Sequence, residues 1–247
     1  MNFLLLHRDE LDDTGRATLR GRRAEHVRTV LRATVGQQLK AGVVDGALGS
    51  AVVLDVTAEA VTVETRLDRA PAPTDDVLLL AVPRPKVLLR MLAHAAALGY
   101  ARIVLFRSWR VEKSHLQSTA MRDAAWREQM LLGLEQAGRT QLPRVQFFPL
   151  FKPMIEDALP GLGLPPQRFV AHPGATATTS ELDLCGAAPF ALGVGPDGGF
   201  LPYEVHAFAA RGFLPVRCGE HTLRTETALA VLTGQLDLLR RRAAAPR

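Results

Sequence analysis

The chain has 247 residues, 47% of them hydrophobic and 22% charged, with 30 Lys+Arg against 25 Asp+Glu and a formal net charge of +5. That length holds one large domain or two modest ones, and that balance excludes a disordered or collagen-like chain. The most apolar stretch, 87–106, is interrupted by Arg90, His94 and Arg102, the apolar run after Met1 is too short for a signal peptide, and Cys185 and Cys218 form no CxxC. A soluble, reducing, cytoplasmic protein with no membrane association and no metal site is therefore expected.

In chain order, Phe3–Leu6, Gln38–Val44, Ser50–Val56 and Ala60–Thr65 read as short strands, with Asp45-Gly46 as a turn between the second and third. Val27, Val30 and Leu31 recur at helical spacing within Arg22–Leu31. This pattern predicts a small β-barrel domain over residues 1–70, closed by a Pro-rich, polar linker, Arg69–Asp76. Arg16, Arg20, Arg22, Arg23, Arg28 and Arg32 form a basic cluster in which Glu25 is the one acid.

From Val77 the texture changes to alternating elements over residues 71–247. Strands are predicted at Val77–Ala81, Ile103–Phe106, Val145–Phe148, Phe169–His172 and Phe190–Val194. Helices are predicted at Pro85–Leu98, Met121–Ala137, Pro202–Arg211 and Thr225–Arg242. Such alternation implies an α/β fold with a parallel sheet covered by helices. The whole basic excess falls in the middle third: residues 71–150 carry 11 basic and 6 acidic side chains, whereas the flanking thirds are neutral. Lys86, Arg90 and His94 stand at i, i+4 and i+8, a polar stripe on an apolar helix. By spacing alone this is an ordinary wet face. Arg102, Arg107, Arg110 and Lys113 follow at once, and Arg presents a donor fork suited to phosphate, so an RNA-facing surface is expected here.

The sharpest local signal is Phe190–Phe200, FALGVGPDGGF, a buried strand entering a glycine-rich turn. Gly193, Gly195 and Gly198 satisfy GxGxxG, with Glu220 downstream, as in a nicotinamide-dependent oxidoreductase. Against that reading, Pro196 and Asp197 put a rigid ring and a negative charge where a pyrophosphate would sit, and too little chain follows Glu220 for the remaining strands. Glycines still let a backbone approach a ligand closely. A second loop, Cys218–Ala228, enters the last helix with Thr225 as its expected N-cap. Arg224 and Glu226, two residues apart there, do not face each other if both are helical.

GPDGGFLPYE (Gly195–Glu204) followed by LRTETA (Leu223–Ala228) resembles the paired cofactor motifs of SPOUT-class RNA methyltransferases. EHVRTVLR (Glu25–Arg32), Trp126, EQAGRTQLP (Glu135–Pro143) and His172-Pro173 extend the resemblance along nearly the whole chain to the RsmE family, which methylates N3 of a uridine in small-subunit (16S) ribosomal RNA. The resemblance implies a PUA-like β-barrel over 1–70 for RNA binding, then a SPOUT-type α/β methyltransferase domain over 71–247 with a trefoil knot. It implies a cytoplasmic homodimer acting in rRNA processing and ribosome biogenesis, with ribosomal RNA or the small ribosomal subunit as partner. S-adenosylmethionine (SAM) is the implied cofactor, held by His172, Pro173, Gly174, Gly195, Pro196, Gly198, Gly199, Gly219, Leu223 and Thr225. Arg139 and Arg224 are the implied basic residues beside the reacting uridine, with Glu135 or Glu226 orienting the Arg or taking the proton. Arg22, Arg23, Arg28, Arg32, Lys86, Arg107, Arg110 and Lys113 are expected to grip the RNA. His94 and Ala97 stand where the family usually has Lys and Glu, and His221-Thr222 precede Leu223-Arg224 where an Arg is usual. A non-catalytic RNA-binding or ribosome-assembly factor on the same fold, and less directly the oxidoreductase, remain open at this point.

Overall fold

The computed structural model of the chain describes residues 3–72 and 74–244, so Pro73 of the expected linker and the extreme ends of both expected domains lie outside the described residues. By internal contact it divides into two units: residues 3–72 together with Leu131–Leu142, and residues 74–130 together with 143–244.

The first unit holds β1 (Phe3–Leu6), β2 (Arg16–Arg20), α1 (Gly21–Glu25), β3 (Gln38–Val43), β4 (Leu48–Val56) and β5 (Ala60–Arg69). They form a five-stranded sheet in the order β1-β3-β4-β5-β2, with β1 parallel to β3 and the other pairs antiparallel. Its apolar face closes over Leu4, Leu6, Leu19, Val27, Val53, Val61 and Val63. β2 is absent from the sequence reading, because its alternation places Ala17 and Leu19 inside and three polar residues outside, including Arg16 and Arg20. The predicted helix is one α-turn widening into a π turn over His26–Val30, where the Leu31 N–H reaches back 3.0 Å to the His26 carbonyl. Val27 points into the core while Val30 is exposed, so helical spacing overstated the apolar face.

The segment 131–142 joins this unit through the predicted turn. Thr140 accepts the Asp45 N–H at 2.8 Å and donates its hydroxyl to the Gly46 carbonyl at 2.8 Å, while Asp45 Oδ1 accepts the Leu142 N–H at 2.8 Å. No composition change marks this return, so the Pro-rich linker alone does not divide the chain.

The second unit contains a six-stranded sheet of β6 (Val77–Ala81), β7 (Arg102–Phe106), β8 (Arg144–Phe148), β9 (Gln167–Ala171), β10 (Phe190–Val194) and β11 (Leu214–Val216). All pairings are parallel and the order is β11-β9-β10-β6-β7-β8. β6 and β10, side by side in the middle, are buried at every position, as a strand covered on both faces must be. β11 escaped the sequence reading because it is three residues long and contains Pro215, which an edge position tolerates. The helices are α2 (Pro85–Leu98), α3 (Lys113–Leu116), α4 (Asp123–Ala137, whose last turns belong to the first unit), α5 (Phe151–Pro153), α6 (Pro202–Ala210) and α7 (Thr225–Ala244). α2 starts with Pro85 in its first turn and turns Leu88, Met91, Leu92, Ala95 and Ala96 to the core.

The strand order removes the oxidoreductase reading. The glycine-rich turn follows the fifth strand of this sheet in chain order, whereas the dinucleotide fingerprint belongs to the first strand of its fold. The chain lays down β9, returns inward to insert β10 between β9 and β6, and then goes outward to β11. This path brings three consecutive loops to one end of neighbouring strands.

Candidate active site

The loops leaving β9, β10 and β11 border a cleft of about 290 Å³ at the carboxyl ends of the strands, where open α/β sheets bind ligands. His172 and Pro173 come from the first loop, Gly195 to Phe200 from the second, and Arg217 to Leu223 with Thr225 from the third, with Ala228 and Leu232 of α7 as an apolar wall; Arg224 is not part of the lining. Of the ten residues expected to hold a cofactor, nine line this cleft and Gly174 does not.

The second loop is a tight turn, with Gly199 N–H bonded to the Pro196 carbonyl at 2.8 Å and Gly199 at φ 69°, in the left-handed region. At Gly195 a Cβ would stand 3.3 Å from the Phe200 nitrogen and 3.4 Å from the Gly199 carbonyl carbon, so a side chain there would crowd the turn. Phe200 anchors the turn from below, stacked on Phe106 at 6.2 Å and packed on Phe208 at 5.3 Å. The third loop is fastened by Gln235 of α7, which donates to the Cys218 carbonyl at 3.2 Å and accepts the Thr179 hydroxyl at 2.6 Å. His172 N–H bonds to the Val216 carbonyl at 2.9 Å, tying the first loop to the third.

Charged side chains surround these turns. Arg84 pairs with Asp197 at 3.4 Å, and Arg110 donates to the Gly198 carbonyl. Glu204, fully buried, accepts the Trp109 N–H at 2.9 Å and the Leu201 N–H at 2.8 Å, locking the 108–111 turn to the start of α6. Arg90 of α2 bonds to Glu226 at 3.1 Å. The Glu226 carboxyl is held below the usual carboxylate range by its own backbone N–H and by the Arg90 guanidinium, which outweigh its partial burial.

Thr225 is not the N-cap. It is the first helical residue and is buried against the cleft, while the Arg224 carbonyl accepts the first helical hydrogen bond, from Ala228 N–H at 2.8 Å, and leaves the Arg224 side chain exposed. Glu226 turns to Arg90, and Arg224, lying outside the helix, is not subject to the helical offset between the two.

Glu135 and Arg139 belong to the first unit, and Arg224 and Glu226 to the second. Glu135 is buried and takes two hydrogen bonds from Arg22, at 3.0 and 3.1 Å. Arg23 is half-buried, bonded to Glu10 and, at 3.1 Å, to the Leu5 carbonyl, and Arg28 donates to the Thr57 and Ala58 carbonyls. Both therefore brace the fold of their unit. Arg32, Lys86, Arg110 and Lys113 are exposed and Arg107 is half-buried. Gln235 was not singled out in the sequence, and the pairings of Arg90 with Glu226, Glu204 with Trp109 and Cys218 with Gln235 were not legible there, since the partners lie far along the chain; a buried glutamate at the third position after Leu201 was legible as a helix cap.

A family model described as RNA methyltransferase domain matches residues 70–237, more than half of the chain, and defines the class of protein. The chain is 31% identical over 233 residues, 92% of its length and 87% of the relative's, to the ribosomal RNA small subunit methyltransferase E of Treponema pallidum. It belongs to the ribosomal RNA small subunit methyltransferase E family. Its fold is shared with the family member from Neisseria gonorrhoeae solved with S-adenosyl methionine, at TM-score 0.75, 19% identity and coverage of 97% of this chain and 98% of that one. It is also shared with a Legionella pneumophila protein solved with bound SAM, at TM-score 0.72, 24% identity and coverage of 98% and 97%.

Proposed function

We propose that the chain transfers a methyl group from SAM to N3 of a uridine in small-subunit (16S) ribosomal RNA. The observation that carries this reading is the convergence of the 172, 195–200 and 217–223 loops on one cleft, made by three consecutive strands whose order in the sheet, β11-β9-β10, differs from their order in the chain.

The cleft fits the cofactor. Its volume is close to the lower end of small-molecule pockets, which run from roughly 300 Å³ upward. Backbone groups of Gly195, Gly198, Gly199 and Gly219 offer hydrogen bonds to adenine and ribose, Val194, Leu223 and Leu232 offer an apolar wall, and Glu220 offers a carboxylate at the rim. His172, Pro173 and Thr225 complete the lining, with Pro196 shaping the turn and Gly174 adjoining it in sequence. SAM, when bound, supplies a methyl group already activated for transfer.

What remains for the protein is to align the uridine and to stabilise charge as its N3 proton leaves. Arg224, exposed in the third loop between the lining residues Leu223 and Thr225, is assigned the stabilisation of negative charge on a uridine oxygen. Glu226, engaged by Arg90 at 3.1 Å, is assigned to orientation. Arg139 and Glu135 are proposed for the same reaction on the family resemblance alone. Lys86, Arg107, Arg110 and Lys113, with Arg22, Arg23, Arg28 and Arg32 of the first unit, are proposed to contact phosphates, Arg23 and Arg28 while also bracing that unit. A trefoil knot and a PUA-like barrel, one RNA-binding domain before one catalytic domain, a homodimer and a cytoplasmic location belong to the same proposal.

Nucleoside mass spectrometry of 16S rRNA from a strain lacking the protein tests the reading, and loss of 3-methyluridine is expected. Restoration by wild type but not by Arg224→Ala, with SAM affinity retained in calorimetry, is the expected second result. Unchanged 3-methyluridine in the deletion strain would reject the activity. Full activity of folded Arg224→Ala would reject the residue assignment.

A further inference from the structure

The geometry points to Trp109 as a platform on which an unpaired nucleobase of the RNA stacks beside the cleft. The chain has two tryptophans and they differ sharply. Trp126 is 6% exposed and its indole N–H is bonded to the Ala120 carbonyl at 2.7 Å, so its role is in the core. Trp109 is 72% exposed. Its ring stands out from the interior, while its backbone N–H is held by a buried carboxylate.

The Trp109 N–H is bonded to Glu204, a carboxylate with no solvent exposure, and Val111 N–H closes the turn on the Ser108 carbonyl at 3.1 Å. The next residue, Arg110, lines the cleft and donates to Gly198 of the glycine turn. The indole is thus presented by a turn fixed on one side to α6 and on the other to the cleft. A pre-positioned ring binds without the cost of ordering a loop.

The surroundings select the occupant. Arg107, Arg110 and Lys113 lie within four residues of Trp109, and Glu112 is the only acid among them. A flat aromatic face set among cations matches single-stranded nucleic acid, whose bases stack while its phosphates meet the cations. A second copy of this chain would bring the same positive charge against it. The inference rests on the reading of the protein as an RNA methyltransferase and adds the contact that holds a base.

The test uses the full chain, a single-stranded oligouridylate, and the variants Trp109→Ala and Trp109→Phe. Oligouridylate is expected to quench the indole emission of the wild type. Trp109→Ala should bind it about tenfold more weakly, with unchanged SAM affinity and unchanged mass in sedimentation. Trp109→Phe should keep most of the RNA affinity and lose the quench. RNA binding with no quench, or equal affinity of folded Trp109→Ala, would overturn the proposal. A shift of Trp109→Ala to a smaller particle would overturn it too, assigning the ring to a contact between copies. If the wild type neither binds SAM nor methylates rRNA, the enzymatic reading fails, and quench and RNA affinity still decide on Trp109.

Discussion

Nη1 of Arg240 lies 3.0 Å from both carboxylate oxygens of Asp76, fastening the last helix to the start of β6. Asp76 Oδ1 also accepts the N–H of Phe190, the first residue of β10, at 2.9 Å, and the Arg240 guanidinium sits over the Phe190 ring at 5.3 Å. One buried carboxylate therefore joins both central strands to α7 at the end of the sheet opposite the cleft.

Removing Arg240 leaves that carboxylate buried with one backbone donor. Arg240→Ala should lose about 3 kcal/mol of stability in urea unfolding at neutral pH. Burial already lifts the Asp76 carboxyl above its usual range, and the Phe190 N–H and Arg240 pull it back only in part. Without Arg240 the folded state binds the proton more tightly still, so stability falls as pH rises through the folded value and the deficit shrinks on acidification. A deficit that is constant between pH 7 and pH 4 would show that Asp76 is not its source.

Gly195→Ala addresses the cleft itself. The added methyl meets the Phe200 nitrogen at 3.3 Å and the Gly199 carbonyl carbon at 3.4 Å, so the turn has to open by a few tenths of an ångström. SAM affinity by calorimetry should fall by about tenfold, corresponding to roughly 1.4 kcal/mol, while circular dichroism stays that of the wild type. Wild-type affinity would mean that this turn is not the cofactor's cradle.

Three basic residues separate by function. Arg107→Ala with Lys113→Ala should weaken RNA binding and lower its salt slope by about two, since each phosphate contact contributes close to one, with no effect on SAM. Arg110→Ala should weaken both ligands, because Arg110 lines the cleft and holds the Gly198 carbonyl. Equal effects of all three on SAM would contradict this division.

In the first unit, hydrogen bonds from Arg23, one of 2.9 Å, hold the Glu10 carboxyl below the usual range against the cost of its partial burial. A depressed folded value means that the stabilisation is full above the unfolded carboxylate range and is lost as pH falls through it to the folded value. Glu10→Gln should flatten the stability profile below pH 5 in acid titrations followed by circular dichroism. An unaltered acid limb would remove Glu10 from the account.

Elements built from near neighbours were legible in the chain. Leu88, Met91, Leu92 and Ala95 recur every three or four residues between Pro85 and Gly99, and α2 has those ends. Phe190–Val194 is an unbroken apolar run, and it is a central strand. The turns at Asp45-Gly46 and Gly195–Gly199 were visible because few residues other than glycine, aspartate and asparagine adopt those conformations.

Local order along the chain accounts for the apolar periodicities, the glycine turns and the motifs that name the cofactor loops. Long-range packing alone put β10 between β9 and β6, bringing the 172, 195 and 217 loops to one cleft. Only it decided that Leu131–Leu142 packs with the first unit, that Glu226 answers to Arg90 and that Arg23 serves Glu10. Dihedral preference and side-chain period act over a few residues, whereas strand order and ion pairing depend on which surfaces meet after burial, between positions as much as 164 residues apart.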